Sequence, residues 1–140
     1  MDCGLWTLSR CAKVRAMPYS YVGKRELVPE DGCFPERTEI LSPKEASNWC
    51  SRNLEEMGID GTIPATWIID TQHRLWIADR HSEHVACARD GLVLSAGEIF
   101  FGFDSGQVAI ERISNQSTGY CPEIASWAVV VEVLAATKVP

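Results

Sequence analysis

The sequence predicts an α+β domain, an antiparallel β-meander of four to five strands accompanied by two helices. Two observations predict this fold class. Apolar residues recur at helical spacing after residue 42, and short runs rich in β-branched and aromatic residues follow, separated by turn residues. We therefore expect an amphipathic helix at about 43–57, then the sheet, and then a C-terminal helix at about 123–136 that packs on or beside the sheet.

Both helices are predicted from their ends. Ser42 stands at the N-cap position, Pro43 at the first helical position and Glu45 three residues after the cap, which is the pattern of a capping box. Gly58 is a favourable C-terminal stop. The Pro-Glu pair at 122–123 suits the N-terminus of the second helix. The apolar face of the first helix consists of Ala46, Trp49, Cys50, Leu54 and Met57.

The strands are predicted from five short runs that alternate with turn signals. Turns are expected at 71–72, 89–91 and 104–106, where Gly, Asp, Ser and other polar residues interrupt the apolar pattern. The run at 92–101 is apolar on both faces, which predicts a central strand. The five runs are ATWIID, RLWIAD, EHVACA, LVLSAGEIFF and QVAIERIS.

Size and composition limit the class of protein. The chain has 140 residues; we expect one globular domain at 18–140 and a flexible extension at 1–17. The formal net charge of −6 argues against nucleic-acid and anionic-membrane partners. No apolar run approaches the roughly 18 residues of a membrane span, and no signal-peptide core is visible. The six cysteines form no CxxC pair, so we expect reduced thiols in a cytoplasmic protein.

One histidine-rich stretch has a spacing that suggests metal ligands. His81, His84 and Cys87 follow one another at intervals of three residues, which on a helix would place them on one face. The flanking residues predict a strand instead, and positions three apart on a strand point to opposite sides. The sequence therefore predicts no metal site, and it names no cofactor.

The predicted hairpin around residues 89–91 sets a register for the neighbouring polar residues. If Gly91 takes the left-handed position of a three-residue loop, Glu98 lies opposite Ser82 and shares a face with His84. A two-residue turn would instead oppose Glu98 and Glu83, which is an unfavourable like-charge pair. A His–Glu pair in a sheet suits general acid–base catalysis and equally a structural hydrogen bond, so both interpretations stay open.

The stretch SNQSTGYCPE, at 114–123, connects the last strand to the final helix. As a plain connection, its Asn and Ser side chains would bond backbone groups while Tyr120 packs its ring. As a site, it would present hydroxyl donors beside a helix N-terminus, where an anion or a carbonyl oxygen is favoured. Cys121 would then be a candidate nucleophile with His84 as its base.

The segments HSEHVACARDGLVLSAGEIFF and ISNQSTGYCPEIASW carry three motifs in order. They resemble an uncharacterised bacterial family with SEHV, AGE and SNQSTGYCPE-like motifs. They are more distantly similar to the core of plant IQ-motif calmodulin-binding proteins, which have HSS, AAG and SGHYLP elements. The positions that match the plant elements are His81, Ser82, Ala96, Gly97, Ser117, Gly119, Tyr120 and Pro122.

This resemblance spans about 60–135 and implies kinship without implying a reaction. The plant pattern has Gly-His where this sequence has Thr118 and Gly119, so no role of that histidine carries over. No IQ motif is visible in the sequence, so calmodulin binding does not carry over either. The bacterial family implies a bacterial source.

The leading functional hypothesis is a small soluble domain with one polar pocket that binds a small polar ligand and catalyses a hydrolytic or transfer step. The rival hypothesis is a non-enzymatic regulatory or protein-interaction module, with Trp6 or Trp76 as candidates for an exposed apolar patch. A small toxin-like enzyme acting on a nucleotide cofactor is a third, by general analogy. The catalytic candidates are His84, Glu98 and Tyr120, and the ligand-binding candidates are His81, Ser82, Asn115, Ser117 and Thr118.

Overall fold

The computed structural model describes residues 16–30 and 32–140, and it confirms an α+β fold with a five-stranded antiparallel sheet. Of the predicted extension only Ala16 and Met17 are described, and the candidate Trp6 lies outside the described residues. No helix within the described part of the chain is long and apolar enough to cross a membrane. The elements are β1 (Thr38–Glu39), α1 (Pro43–Arg52), β2 (Ile63–Asp70), β3 (Leu75–Asp79), α2 (His84–Cys87), β4 (Val93–Asp104), β5 (Gln107–Ser114) and α3 (Trp127–Thr137).

The strand order in the sheet is β1-β3-β2-β4-β5. The hairpins β2–β3 and β4–β5 are local, but β4 returns beside β2 rather than beside β3, so the order differs from that of a meander. The prediction that 92–101 forms a central strand is confirmed, because β4 lies between β2 and β5. The predicted turn at 104–106 is also confirmed, with Ser105 and Gly106 both at positive φ, as a two-residue hairpin requires.

Helix α1 begins where its capping residues predicted. The Ser42 hydroxyl accepts a hydrogen bond from the Lys44 backbone N–H at 3.3 Å and donates to Glu45 Oε1 at 2.7 Å. The helix ends at Arg52, earlier than predicted, because Asn53 leaves the helical conformation and its side-chain amide donates to the Trp49 carbonyl at 2.8 Å. A separate 3₁₀ turn, Leu54–Glu56, completes the predicted segment.

The C-terminal helix begins four residues later than the sequence predicted. Cys121 has φ +49°, so the chain turns there, and a 3₁₀ turn at Ile124–Ser126 precedes α3. Three consecutive valines lie within α3 although β-branched residues disfavour helix slightly. Burial explains this, since Val129 and Val130 are fully buried in the core.

The major face of the sheet is the side on which Trp67, Ile99 and Phe101 project, beneath α1 and α3. Trp67 is fully buried, and the rings of Trp49 on α1 and Phe101 on β4 lie 6.0 Å apart. This face holds most of the core. Its buried residues are Ile40, Ala46, Trp49, Cys50, Ile63, Ala65, Trp67, Ile69, Leu75, Ile77, Leu94, Ile99, Phe101, Val108, Val129, Val130 and Val133.

The minor face is the opposite side, and only one half of it is covered. Helix α2 lies on that half together with residues 19–28, which we call the strap. Tyr19 in the strap exchanges two backbone hydrogen bonds with Val93 on β4, at 2.7 and 3.0 Å. The buried residues of this second cluster are Ile68, Ala78, Val85, Cys87, Val93, Ala96 and Tyr120.

The strand predicted for EHVACA is wrong, since His84–Cys87 forms a short helix. Directly after β3 the Asp79 carboxylate accepts from the His81 N–H at 2.8 Å, a local turn that takes the chain out of the sheet. The predicted hairpin register is wrong as well. Glu98 lies opposite Thr66 and Ser114, not opposite Ser82.

The turn at 89–91 exists, but its conformation differs from the prediction. Arg89 and Asp90 have φ values of +54° and +60°, whereas Gly91 does not take a positive φ. The reason is that these residues terminate a helix and do not close a hairpin. The Asp90 N–H donates to the Val85 carbonyl at 2.8 Å, which is typical of a helix C-terminus in the left-handed conformation.

Candidate functional site

A cleft of about 310 Å³ occupies the uncovered half of the minor face. Its floor is formed by β2 and β4, and its rim is the segment between β3 and α2, which carries Arg80 and His81. The cleft is open to solvent on one side and mixes charged, polar and apolar groups. The lining residues are Pro64, Ala65, Thr66, Arg80, His81, Glu98 and Phe100.

Glu98 lies at the centre of this floor. It belongs to a central strand yet is solvent-exposed, because neither α2 nor the strap covers this part of the minor face. Within the described part of the chain, no hydrogen bond or ion pair engages its carboxylate, and the same holds for the Arg80 guanidinium. The cleft therefore presents one negative and one positive group, Glu98 and Arg80, neither of which is paired with another described residue.

Ser114 lies beside Glu98 in the cross-strand row and on the same side of the sheet. Its hydroxyl is buried and has no hydrogen-bond partner among the described residues. Buried polar atoms are nearly always paired, so an unpaired hydroxyl next to an unpaired carboxylate marks this row as polar beyond what folding requires.

The rim of the cleft is held by hydrogen bonds to the floor. The Thr66 hydroxyl on β2 donates to the Ser82 carbonyl at 3.0 Å. On the rim itself, the His81 imidazole lies 3.7 Å from a Glu56 carboxylate oxygen. These contacts fix the backbone of the rim and leave the Arg80 side chain at the cleft.

His84 begins α2 and supports β4. Its Nε2 donates to the Gly97 carbonyl at 2.8 Å. Burial lowers the pKa of His84, while the Gly97 hydrogen bond and the charge of Glu98 act in the opposite direction. Glu98 thus interacts with His84 electrostatically, without a hydrogen bond between the two side chains.

Tyr120 is buried and braces the turn before β4. Its hydroxyl donates to the Gly91 carbonyl at 2.8 Å, and its ring meets Tyr21 of the strap edge-on, with centroids 5.7 Å apart. Burial raises the pKa of the Tyr120 phenol. A neutral phenol whose hydroxyl is already engaged suits a structural hydrogen bond.

The remaining polar residues of SNQSTGYCPE also bond within the chain. The Ser117 hydroxyl accepts from the Tyr120 N–H at 3.3 Å, and the Asn115 amide donates to the Glu123 carbonyl at 3.4 Å. Thr118 is exposed, and its carbonyl accepts from the Cys121 thiol at 3.3 Å. These hydrogen bonds agree with the first of the two interpretations of the sequence, a plain connection whose polar side chains bond to backbone groups.

The strap also packs on SNQSTGYCPE and bonds to it. The Val22 N–H donates to the Gly119 carbonyl at 2.7 Å, and a side chain at Gly119 would lie 2.6 Å from the Tyr21 ring. The Glu123 N–H donates to the Tyr19 hydroxyl at 3.1 Å. Glycine at 119 therefore allows the strap to lie directly on the connection.

Two of the sequence motifs meet at Gly97. The Ser114 backbone crosses the major face there, and its carbonyl accepts from the Trp67 indole N–H at 3.1 Å. A Cβ on Gly97 would lie 2.6 Å from the Ser114 carbonyl carbon and 2.7 Å from the Asn115 Cα. The glycine of AGE thus makes room for the start of SNQSTGYCPE.

The three residues with metal-ligand spacing point to different partners. His81 lies 3.7 Å from a Glu56 carboxylate oxygen, His84 donates to the Gly97 carbonyl, and the buried Cys87 thiol lies 3.8 Å from the Trp76 carbonyl. Burial raises the pKa of Cys87 to about 12. Within residues 16–30 and 32–140, no group of three or more His, Cys, Asp or Glu side chains is arranged to hold a metal ion.

The structure separates the predicted site residues into three places. His81 and Glu98 line the cleft, whereas Ser82 lines a neighbouring one on the other side of the rim. The exposed Cys121 precedes α3 by six residues and bonds to Thr118, and among the described residues no hydrogen bond joins it to His84. The other candidates, His84, Asn115, Ser117, Thr118 and Tyr120, lie in the bonded network described above.

Sequence reasoning missed Thr66 and Arg80. Thr66 is the one hydroxyl residue in the apolar run ATWIID, which was a usable signal. Arg80 follows β3 directly, but its position at the cleft depends on the turn at Asp79. A pattern confined to one strand contains no information on that turn.

Comparisons with known proteins give no relative. No protein-family model matches the chain, and no curated protein and no solved structure matches it either. The resemblance to the bacterial family and to the plant proteins stays a prediction.

Proposed function

We propose that this domain binds a small polar ligand in the cleft between β2, β4 and the rim. One observation carries the proposal: Glu98 and Arg80 line the same cleft, and neither is paired within the described residues. A charged residue in the middle of a central strand reduces burial and sheet stability, so its presence there indicates a role other than folding. Binding of a ligand is such a role.

The two charges define the ligand's chemistry. Arg80 suits a carboxylate or another oxyanion, since the guanidinium donates two parallel hydrogen bonds. Glu98 suits an ammonium group, and Phe100 offers an apolar surface beside it. A small zwitterion such as a free amino acid combines these features.

Binding without catalysis is the better supported form of this function. Of the three catalytic candidates, His84 and Tyr120 each hold a backbone carbonyl, at 2.8 Å in both cases. General acid–base catalysis needs a titrating group within reach of the substrate proton, and neither is free for that role. We accordingly propose Glu98 as a binding residue rather than a catalytic one.

The rival interaction module is favoured by a different surface. Ile124 and Val131 are 85% and 63% exposed beside and on α3, and apolar residues this exposed are typical of contact surfaces when they cluster. Trp76 is a weaker candidate, because the Arg37 guanidinium lies 3.8 Å from its ring centroid and covers it. For location, we propose a bacterial cytoplasm, which the free thiols of Cys50 and Cys87 support.

Calorimetric titration with free amino acids, their N-acetyl derivatives and their amides tests the proposal. Wild type is expected to bind the zwitterions and to bind both derivatives more weakly. Glu98→Gln should weaken zwitterion binding about tenfold or more, since a charge-assisted hydrogen bond contributes about 1.5–3 kcal/mol. Arg80→Gln should do the same through the carboxylate.

Matched controls are available on the same protein. Glu111→Gln removes an exposed carboxylate from the adjacent strand β5, and Arg52→Gln removes an exposed guanidinium from α1. Both variants should bind like wild type. Equal affinity of wild type, Glu98→Gln and Arg80→Gln for every ligand that binds would refute the cleft as the site.

A further inference from the structure

Two arginines converge on Trp76, near the start of β3 and at the opposite end of that strand from Arg80. The Arg37 guanidinium carbon lies 3.8 Å from the centroid of the Trp76 ring, and that of Arg74 lies 5.5 Å from it. Both distances are those of cation–π contacts. One indole therefore brings two positive groups together on the minor face.

Arg89 adds the third positive charge. Burial is the main reason that the pKa of Arg37 is lowered, and the charge of Arg89 is the next. The charges of Arg37 and Arg89 also both lower the pKa of the Cys87 thiol at the end of α2, against the larger effect of burial. Arg37 bonds to the Cys87 carbonyl, two residues before Arg89, and both Arg74 and Arg89 lie within electrostatic reach of Arg37.

Many of their donors are unused. Arg37 donates through Nη1 to the Cys87 carbonyl at 3.0 Å, and Arg74 donates through Nε to Asp70 at 2.8 Å. No hydrogen bond or ion pair to the Arg89 side chain exists within the described part of the chain. A guanidinium has five N–H donors, so this cluster has many left for a ligand.

The backbone at Arg89 gives an independent observation. Arg89 and Asp90 both have left-handed φ values, which cost a non-glycine residue roughly 1–2 kcal/mol. An aspartate at position 90 has a structural reason, because its carboxylate accepts two hydrogen bonds from Arg25, at 2.9 and 3.2 Å. No contact of the described residues explains an arginine at 89, where glycine or asparagine would fit the conformation better.

The negative groups nearby do not cancel this charge. Asp70 is already engaged by Arg74 and by the Trp76 indole N–H, at 2.8 and 2.9 Å. Glu39 lies opposite Trp76 in the β1–β3 pair, and Asp90, next to Arg89, is engaged by Arg25. Counted with Arg25, four guanidinium groups stand against these three carboxylates, in a protein whose formal net charge is −6.

We propose that Arg37, Arg74 and Arg89 form a binding site for a phosphate group carried by a small molecule. Several guanidinium groups suit a tetrahedral dianion, which accepts hydrogen bonds from each of them and relieves their mutual repulsion. This site does not depend on the ligand proposed for the cleft. Trp76 on β3 and Arg80, directly after β3, are four residues apart in extended chain, which separates the two sites by roughly 13 Å.

Titration with inorganic pyrophosphate tests the site, observed through the Trp76 indole N–H signal in nitrogen-15 NMR spectra. A saturable shift is expected with pyrophosphate and not with sodium chloride at equal ionic strength. Arg89→Gly is the decisive variant, because it removes the guanidinium while glycine favours the left-handed backbone. It should bind pyrophosphate at least tenfold more weakly without losing stability.

Two comparisons make the result specific. Arg89→Lys keeps a charge and should retain most of the affinity, and Arg52→Gln, on α1, should bind like wild type. The proposal is overturned if Arg89→Gly binds pyrophosphate as tightly as wild type, or if chloride alone produces the shift. It is also overturned if Arg80→Gln is the variant that weakens binding, since the anion would then occupy the cleft.

Discussion

The two faces of the sheet differ in how completely they are covered and in what they contain. The major face lies beneath α1 and α3, and its core residues are almost all apolar. The minor face is covered over only one half, by α2 and the strap, and its other half ends in a row of Thr66, Glu98 and Ser114. Helices of sufficient length bury one face, whereas a helix of four residues cannot cover the other.

Because the two faces are covered differently, we expect substitutions on the two faces to have different effects. The major face accounts for most of the buried apolar area, so substitutions there are expected to act on stability. The motif residues lie at the boundary between the faces or on the covered half of the minor face, where they bond to backbone groups. The uncovered half presents the charged side chains of Arg80 and Glu98, which have no partner among the described residues.

The largest expected effect comes from the point where the two faces meet, at Gly97. Gly97→Ala would drive a Cβ into the Ser114 carbonyl group, with its carbon at 2.6 Å and its oxygen closer, and the Trp67 indole holds that carbonyl in place. We expect a loss of about 3 kcal/mol or more, since overpacking against backbone cannot be relieved by a rotamer change. Chemical denaturation measures this loss.

Gly58→Ala is the matched control for that substitution. Its Cβ would lie 3.2 Å from the end of the Asp60 side chain, which can move. The expected change in unfolding free energy is less than about 1 kcal/mol. Equal effects of the two substitutions would contradict the close approach at Gly97.

The second effect tests Tyr120 as a brace. Tyr120→Phe removes the hydrogen bond to the Gly91 carbonyl and leaves that carbonyl unpaired, so we expect a loss of about 1–2 kcal/mol. Tyr19→Phe removes a hydroxyl that accepts from the exposed Glu123 N–H and should cost less. Thermal unfolding compares the two variants. If Tyr120→Phe unfolds like wild type, its hydroxyl has no structural role.

A smaller effect is expected from pH, through His84. Burial lowers its pKa in the folded protein, so as the pH falls below the unfolded value of about 6.5 the unfolded chain binds a proton before the folded one does. Stability should therefore decrease as the pH falls from 6.5 toward the lower folded pKa. Unfolding free energies between pH 7.5 and 5 should show a steeper decrease for wild type than for His84→Gln.

His81→Gln is the control for the pH experiment, because His81 is exposed at the rim. It should keep the pH dependence of wild type. A pH profile of His84→Gln that matches wild type would show that His84 does not titrate differently in the two states.

The smallest effect on stability is expected at Glu98. The side chain is exposed and unpaired within the described residues, so Glu98→Gln should change the unfolding free energy by less than about 0.5 kcal/mol. Chemical denaturation, measured on the same variant as the ligand titration, distinguishes a role of Glu98 in ligand binding from a role in stability. A large destabilisation would identify Glu98 as part of the folding network of the minor face.

The parts of the fold that the sequence predicted correctly are those decided by neighbours along the chain. The start of α1 depends on Ser42 and Glu45, three residues apart, whose side chains bond to each other and to backbone N–H groups of the first turn and the preceding residue. The turn at 104–106 depends on the glycine in it. The central place of β4 followed from its apolar content on both faces.

The predictions that are wrong concern residues whose conformation depends on contacts with residues distant in the sequence. EHVACA has strand-like composition, yet the turn at Asp79 removes it from the sheet and α2 then packs on Ile68 and Ala78. The register proposed for Glu98 failed with it. The candidate site was consequently only partly assembled: His81 and Glu98 lie at the cleft, while Arg80 and Thr66 were not foreseen.

The sequence by itself determined the fold class, the first helix with its cap, the tight turn before β5 and the polar character of SNQSTGYCPE. These depend on propensity, capping and turn geometry, which act over a few residues. The tertiary structure decided which strands pair, the helical conformation of His84–Cys87, and the row of Thr66, Glu98 and Ser114. That row joins residues far apart in sequence, and their meeting is set by the burial of the whole major face rather than by any local pattern.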